Sequence, residues 1–156
     1  MLKEKEYREI SVLDLVADSK VNRNTFYYHF KDLPALVAEL AKRGIDNCFA
    51  SCKGNAAEKL GCLVKTMAEN KLSIMHVYSS ADRKDFDEGL DQVCEYLSFK
   101  LTAAEAELSE AEKSCRHLLV KSSCYGLVSD WLSKGMEDEG RVLLLSLCGE
   151  VADMLK

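Results

Sequence analysis

Residues 11–41, SVLDLVADSKVNRNTFYYHFKDLPALVAELA, carry the signals for two short helices and the start of a third. Ser11 is a typical helix N-cap residue, and Asp14 follows it at the spacing of a capping box. Asp18–Lys20 predicts a tight connection, and Asn22 then caps a second helix. Two short helices joined in this way are typical of a helix-turn-helix, whose second helix enters a DNA major groove.

A third helix is predicted to start after Asp32 and to run from Pro34 to about Ala50. The chain's single proline falls in the first turn of this helix, where a missing N–H costs nothing. The apolar residues predicted to face inward from it are Leu36, Val37, Leu40 and Ile45.

The second helix carries side chains suited to DNA. No acid occurs from Lys20 to Lys31, and phosphate contact needs this local absence of negative charge. Phe26 and Phe30 are four residues apart and are predicted to face inward, which leaves the neighbouring tyrosine side chains outside. A plain helical hairpin with a polar cap and an aromatic core edge fits the same pattern, and this alternative stays open on the residues alone.

The segment VNRNTFYYHFKDLPALVAEL, residues 21–40, resembles the signature of the TetR family of bacterial transcriptional regulators. That signature is V-S-x-x-T-[FL]-Y-x-[HY]-F-x-x-K-x-x-L. The residues that match it are Val21, Thr25, Phe26, Tyr27, His29, Phe30 and Leu36.

The resemblance implies a role for each exposed position of the second helix. The residues implied to read bases are Asn22, Arg23, Asn24 and Thr25. The residues implied to contact phosphates are Tyr27, Tyr28, His29 and Lys31.

Three features depart from the family pattern. Lys20 stands where the family has a glycine, so a left-handed backbone there would cost about 1 kcal/mol. Leu33 replaces the signature lysine, which removes one expected phosphate contact. The segment MLKEKEYREI, residues 1–10, is shorter than the family's first helix, so that helix is expected to be missing or truncated.

Composition predicts an all-α protein. The 156 residues include 47% hydrophobic and 30% charged residues, one proline and long Leu/Ala/Glu/Lys-rich segments, with no hairpin turn between alternating runs. We expect two domains, a helix-turn-helix DNA-binding domain at 1–50 and a helical ligand-binding and dimerisation domain at 51–156, with the boundary near Gly54.

The charge is unevenly distributed. Residues 1–48 hold eight basic and eight acidic residues, whereas the remainder holds 13 basic and 18 acidic residues, a net of −5. An acidic body with a locally basic segment fits a protein that contacts DNA at one end only.

The seven cysteines are odd in number and widely spread, and no signal peptide precedes them. Buried free thiols in a reducing cytoplasm are therefore expected, with no metal site and no cofactor. No apolar run has the length of a membrane span. The sequence has no glycine-rich phosphate loop, nucleophile elbow or metal-binding histidine pair, so no catalytic residue and no enzymatic activity are predicted.

Helices are predicted at 56–69, 72–80 and 83–101, and the capping box of Ser109 and Glu112 opens another that ends near Lys134. A small effector of unknown identity would bind between these helices. The residues predicted to contact it are His76, Tyr96, Phe99, His117 and Tyr125. Each of them also fits a plain core or edge position.

The last two helices have apolar residues around much of their circumference, including Met154 and Leu155 in the final one. An isologous dimer with a four-helix bundle would bury them, and the alternative is that both helices lie inside a monomer. The predicted dimer residues are Leu127, Trp131, Leu143, Leu144, Leu147 and Val151. The segment GLVSDWLSKGMEDEGRVLLLSL, 126–147, resembles the TetR subgroup that includes dihydroxyacetone-kinase-operon activators, through Gly126, Trp131 and Gly135.

The leading hypothesis is a ligand-responsive, TetR-like transcriptional regulator that binds double-stranded operator DNA as a homodimer through Asn22–Phe30. The alternative is a helical ligand-binding or protein-interaction dimer that does not bind DNA because its first helix is absent.

Overall fold

The structure is a computed structural model that describes residues 4–103 and 108–153. This part of the chain forms a short 3-10 turn, Tyr7–Glu9, and eight α-helices, with no strand. The helices are α1 Val12–Ser19, α2 Arg23–His29, α3 Leu33–Ser51, α4 Ala56–Glu69, α5 Lys71–Ser80, α6 Arg83–Thr102, α7 Glu110–Ser133 and α8 Asp138–Asp153. The predicted all-α class is therefore confirmed.

Local capping signals set most helix starts. Asn55 accepts a hydrogen bond from the Glu58 amide at 3.0 Å, and α4 has the predicted bounds. The Ser109 hydroxyl and the Glu112 side chain form the predicted capping box of α7. Helix α8 runs from Asp138 to Asp153, and the prediction that Met154 and Leu155 belong to it lies outside the described residues.

The core lies among α3, α4, α6, α7 and α8. Helix α6 packs on both α3 and α7, and α4 packs on α8. Val120, Trp131 and Leu132 are almost completely buried at its centre. Ile45 of α3 belongs to this core, whereas Leu40, also predicted to face inward, is 52% exposed.

The turn from α7 to α8 is built around Trp131. Its indole N–H donates to the Glu137 carbonyl at 2.9 Å, and a Cβ at Gly140 would lie only 2.6 Å from the indole ring. Gly135 and Met136 take left-handed backbone angles, with φ of 68° and 53°. The Met136 amide donates to the Trp131 carbonyl at 2.9 Å, which closes the end of α7.

The predicted break near Gly54 is present, because α3 ends at Ser51 and α4 begins at Ala56. Helix α3 crosses the predicted domain boundary: it follows the α1–α2 headpiece, ends at Ser51 and packs against α6. The division into 1–50 and 51–156 stays a prediction.

Candidate nucleic-acid interface and effector cavity

The connection between α1 and α2 is closed by Lys20 in the left-handed conformation. Its φ is 55° and its ψ is 30°, the backbone twist that glycine adopts most readily. The Lys20 amide donates to the Ala17 carbonyl, and the Val21 amide donates to the Val16 carbonyl at 3.1 Å. Helix α1 runs to Ser19, so the connection is residues 20–22, two positions later than the predicted Asp18–Lys20.

Helix α2 is fixed by a cap at its N-terminus and by two aromatic side chains on its inner face. The Asn22 side-chain oxygen accepts a hydrogen bond from the Asn24 amide at 2.8 Å, which caps the helix as predicted. Phe26 is 7% exposed, and its ring lies 5.6 Å from that of the half-buried Phe30. These two aromatic side chains fix which face of α2 turns outward.

All eight residues predicted to contact DNA are exposed: Asn22, Arg23, Asn24, Thr25, Tyr27, Tyr28, His29 and Lys31. Tyr28 is 84% exposed, and its ring lies 5.0 Å from that of His29. The Arg23 guanidinium lies 5.5 Å from the centre of the Tyr27 ring, a cation–π contact that orients both side chains. The side-chain oxygen of Asn22 is used by the helix cap. Its side-chain NH2 group therefore remains available to donate to an acceptor on a binding partner.

Helix α3 starts immediately after this surface. The Asp32 side chain accepts a hydrogen bond from the Ala35 amide at 2.9 Å, and Pro34 occupies the first turn, as predicted. Only Phe30 and Lys31 separate α2 from the Asp32 cap, so the connection between α2 and α3 is short.

Behind the headpiece, α3 to α8 surround a cavity of about 560 Å³. Its wall is mainly aliphatic, with Ile45, Val64, Leu97 and Leu132 among its residues. This volume lies in the range of small-molecule sites in proteins. The cavity lies between the helices where a small effector was predicted to bind, and the effector itself stays a prediction.

None of the five predicted effector residues lines the cavity. On α6, the aliphatic stripe through Leu90, Val93 and Leu97 forms the wall, whereas Tyr96 lies outside it and Phe99 is 64% exposed. His76, His117 and Tyr125 are half-buried and also lie outside the wall. Two of the five, Tyr96 and His117, instead bind carboxylates outside the cavity wall.

Tyr96 belongs to a link between α3 and α6. Its hydroxyl donates to the Asp46 carboxylate at 2.7 Å, and the Lys100 ammonium lies 2.7 Å from the same oxygen. These bonds, that of Lys100 first, lower the pKa of Asp46, and the bond to Asp46 raises the pKa of Tyr96. Helix α3, which follows the headpiece, is thus bonded to α6, a helix that lines the cavity.

His117 belongs to a second link, between α6 and α7. The fully buried Ser98 hydroxyl donates to the His117 carbonyl at 2.7 Å, and the His117 ring Nε2 lies 2.9 Å from Glu95. Lys121 also pairs with Glu95, at 3.2 Å. Hydrogen bonds from His117 and then Lys121 lower the pKa of Glu95.

The predicted dimer residues divide into three groups by burial. Trp131, Leu144 and Val151 are buried in the core of their own chain and are not available to a partner, which corrects their assignment. Leu127 and Leu147 are half-buried and line the cavity. Leu143 is 55% exposed, and three apolar side chains outside the predicted dimer set are also strongly exposed on α7 and α8, namely Leu118, Leu119 and Val142.

Within 4–103 and 108–153, no group of three or more His, Cys, Asp or Glu side chains is arranged to hold a metal ion. No helix in the same ranges combines the length and the apolar character needed to cross a bilayer.

Comparison with known proteins places the chain in a family. A family model described as the transcriptional regulator C-terminal region, of the TetR type, matches residues 54–147, well over half of the chain. Among solved structures, the dihydroxyacetone kinase operon activator DhaS is similar, with a TM-score of 0.60 and 18% identity over 99% of this chain and 86% of that one. A search of curated proteins gives no match. The chain therefore belongs to the TetR-like family of transcriptional regulators.

Proposed function

We propose that this regulator binds double-stranded operator DNA as a homodimer through Asn22–Phe30 and releases or engages it in response to a small effector bound in the cavity. The observation that carries the proposal is the surface of α2. Its polar side chains are all exposed, while Phe26 anchors the opposite face. The run from Lys20 to Lys31 contains no acid, so phosphates meet no local repulsion.

In the proposed complex, the α2 helices of two chains occupy successive major grooves, roughly 34–36 Å apart. Leu143 and the other exposed apolar side chains of α7 and α8 would pack against the second chain, since burying them removes apolar surface from water. We place the DNA-binding part at 1–50 and the effector and dimerisation part at 51–156.

The effector acts by differential affinity. A molecule that prefers one arrangement of α3 shifts the population towards it and changes the spacing of the two reading helices. The Asp46–Tyr96 bond supports this route, because it joins α3 to a helix that lines the cavity. A cytoplasmic location is part of the proposal, supported by seven free cysteines that suit a reducing compartment.

The test is a salt titration of binding to a mixed-sequence 30-base-pair duplex, followed by fluorescence anisotropy. The wild type should bind more weakly as salt rises, and Lys31→Gln should reduce the slope of log K against log salt by about 1. Lys53→Gln removes another exposed lysine, after the end of α3, and should leave the slope unchanged. Absence of salt-dependent binding in the wild type would favour the alternative, a ligand-binding or protein-interaction dimer without DNA binding.

A further inference from the structure

The cavity has a polar side made by few residues. Its polar lining side chains are Tyr7, Thr66, Asn70, Ser73 and Asp85. Asp85 is the one charged side chain among the described lining residues, and none of them is Lys, Arg or His. An anionic effector would therefore find a carboxylate and no cation to pair with.

Tyr7 reaches this side from the N-terminal 3-10 turn, which packs against α5. Burial raises the pKa of Tyr7 to about 12, and the negative charges of Asp32 and Asp85 add to the shift. The tyrosine hydroxyl therefore stays protonated, and the two carboxylates whose charges act on it would favour a bound cation.

Asp85 is free to serve a ligand. It lies exposed in the first turn of α6, and the N-cap of that helix is provided by Asp82, whose side chain accepts from the Lys84 and Asp85 amides at 2.9 and 3.3 Å. The Asp85 carboxylate is therefore not needed as the helix cap.

We propose that the effector is an amphiphilic cation, with an apolar body in the aliphatic cavity and a protonated amine held at the cavity edge by Asp85 and Tyr7. The ammonium donates to the carboxylate of Asp85 and to the hydroxyl oxygen of Tyr7, which are charge-assisted hydrogen bonds. The aliphatic wall supplies most of the affinity through removal of apolar surface from water.

The same place is where the chain enters and leaves the headpiece. Tyr7 precedes the Ser11 cap of α1 by four residues, and Asp32 is the cap of α3 directly after Lys31. An ammonium bound to Tyr7 would act on the segment that enters the headpiece, and its charge would act through space on Asp32, whose own charge influences Tyr7. Through these two residues, effector binding would change the position of the headpiece. This regulatory step rests on the proposed function.

The experiment uses three probes with one apolar body, namely decylamine, 1-decanol and decanoate, each below its micellar concentration. Isothermal titration calorimetry of the full chain without DNA should give the tightest binding for decylamine and the weakest for decanoate. Asp85→Asn should weaken decylamine binding about tenfold and leave decanol binding unchanged. Tyr7→Phe should weaken decylamine binding by a smaller factor.

Glu88→Gln is the matched control, because Glu88 is exposed on the same helix, pairs with Lys84 at 3.8 Å and does not line the cavity. It should leave decylamine binding as in wild type. Equal affinity for decylamine and decanol, or equal losses in Asp85→Asn and Glu88→Gln, would overturn the cation proposal.

The duplex titration is repeated with and without decylamine. If the chain prefers decylamine but does not bind DNA, the cationic effector is supported and the proposed regulator function is contradicted. If the chain binds DNA but shows no preference among the three probes, the regulator function is supported and the cationic effector is contradicted.

Discussion

The hydroxyl of Tyr96 on α6 donates a 2.7 Å hydrogen bond to the carboxylate of Asp46 on α3. Asp46 is separated from Tyr96 by 50 positions in the sequence, so the bond joins two parts of the chain that meet only in the folded protein. Lys100 strengthens the contact, since its ammonium shares the same carboxylate oxygen and lies 5.4 Å from the Tyr96 ring centre.

Breaking this link should uncouple effector from DNA. In Tyr96→Phe we expect DNA affinity without effector and effector affinity to stay near wild type, while the effect of one on the other shrinks several-fold. Anisotropy titrations with and without decylamine measure the coupling. Glu39→Gln, which breaks an ion pair to Arg43 within α3 alone, should keep the coupling intact. Equal coupling in Tyr96→Phe and wild type would remove this bond from the mechanism.

Lys20→Gly should raise the free energy of unfolding by about 1 kcal/mol, because glycine adopts the left-handed angles of the α1–α2 connection without steric cost. Urea denaturation followed by circular dichroism measures the change. The same substitution inside a regular helix, Lys65→Gly in α4, should instead lower the free energy of unfolding by about 1 kcal/mol. A loss of stability in Lys20→Gly would show that the lysine side chain contributes more than its backbone costs.

Substitutions on the α2 surface should have two different effects, depending on whether the residue reads a base or contacts a phosphate. Asn24→Ala should change the preferred operator, by about 1–3 kcal/mol at one base pair. Tyr27→Phe should weaken binding to all duplexes by about 1 kcal/mol, because only a phosphate donor is lost. The two effects are distinguished by selecting bound sequences from a randomised duplex pool and then measuring the affinity for the selected duplexes by fluorescence anisotropy. Wild-type behaviour of both variants on every duplex would place the reading surface elsewhere.

Leu143→Asp should dissociate the proposed dimer, raising its dissociation constant on the order of a hundredfold, because two charges would be buried without partners. Sedimentation velocity over a concentration series gives the constant. Leu72→Asp changes an equally exposed leucine on α5, and its dissociation constant should match wild type. A single monomeric species for wild type at all concentrations would contradict the dimer.

The free energy of unfolding should decrease at acid pH, partly because Glu95 becomes protonated and loses its ion pairs. Its pKa in the folded chain lies below the ordinary value of 4.5, so its contribution is complete above that value and is lost as the pH falls through the folded pKa. Glu95→Gln should therefore make the free energy of unfolding less steep between pH 4.5 and the acid midpoint. Glu88→Gln, which lacks the contacts to His117 and Lys121, should keep the wild-type slope. Equal slopes in Glu95→Gln and wild type would mean that the ion pairs persist in the unfolded chain.

Local signals in the sequence predicted local structure well. The caps at Ser11, Asn22, Asp32 and Ser109 are all present, because a capping side chain and the amide that it binds lie within three residues of each other. The bounds of α4 and the inward position of Phe26 follow from the same short-range patterns. The outward surface of α2 was predictable for this reason.

Long-range packing was not predictable in the same way. Whether an apolar helix faces a partner or its own core depends on helices that lie far away in sequence, and Trp131 turned inward because Gly140 leaves room for its ring. Tyr7 lines the cavity although nothing in MLKEKEYREI indicates a distant partner. Periodicity identifies the apolar side of a helix and leaves its neighbours unspecified.

Because helix α3 is long, a small tilt at one of its ends displaces the other end by several times more than the end near the pivot. From Asp46 to Leu33 the helix extends about 20 Å, at roughly 1.5 Å per residue. A tilt of about 6° around the Asp46 anchor would displace the junction with α2 by about 2 Å, and by about 4 Å between two symmetric copies. Hydrogen bonds to bases tolerate only a few tenths of an ångström, so a lever of this length would convert a slight rearrangement at the cavity into loss of register on DNA.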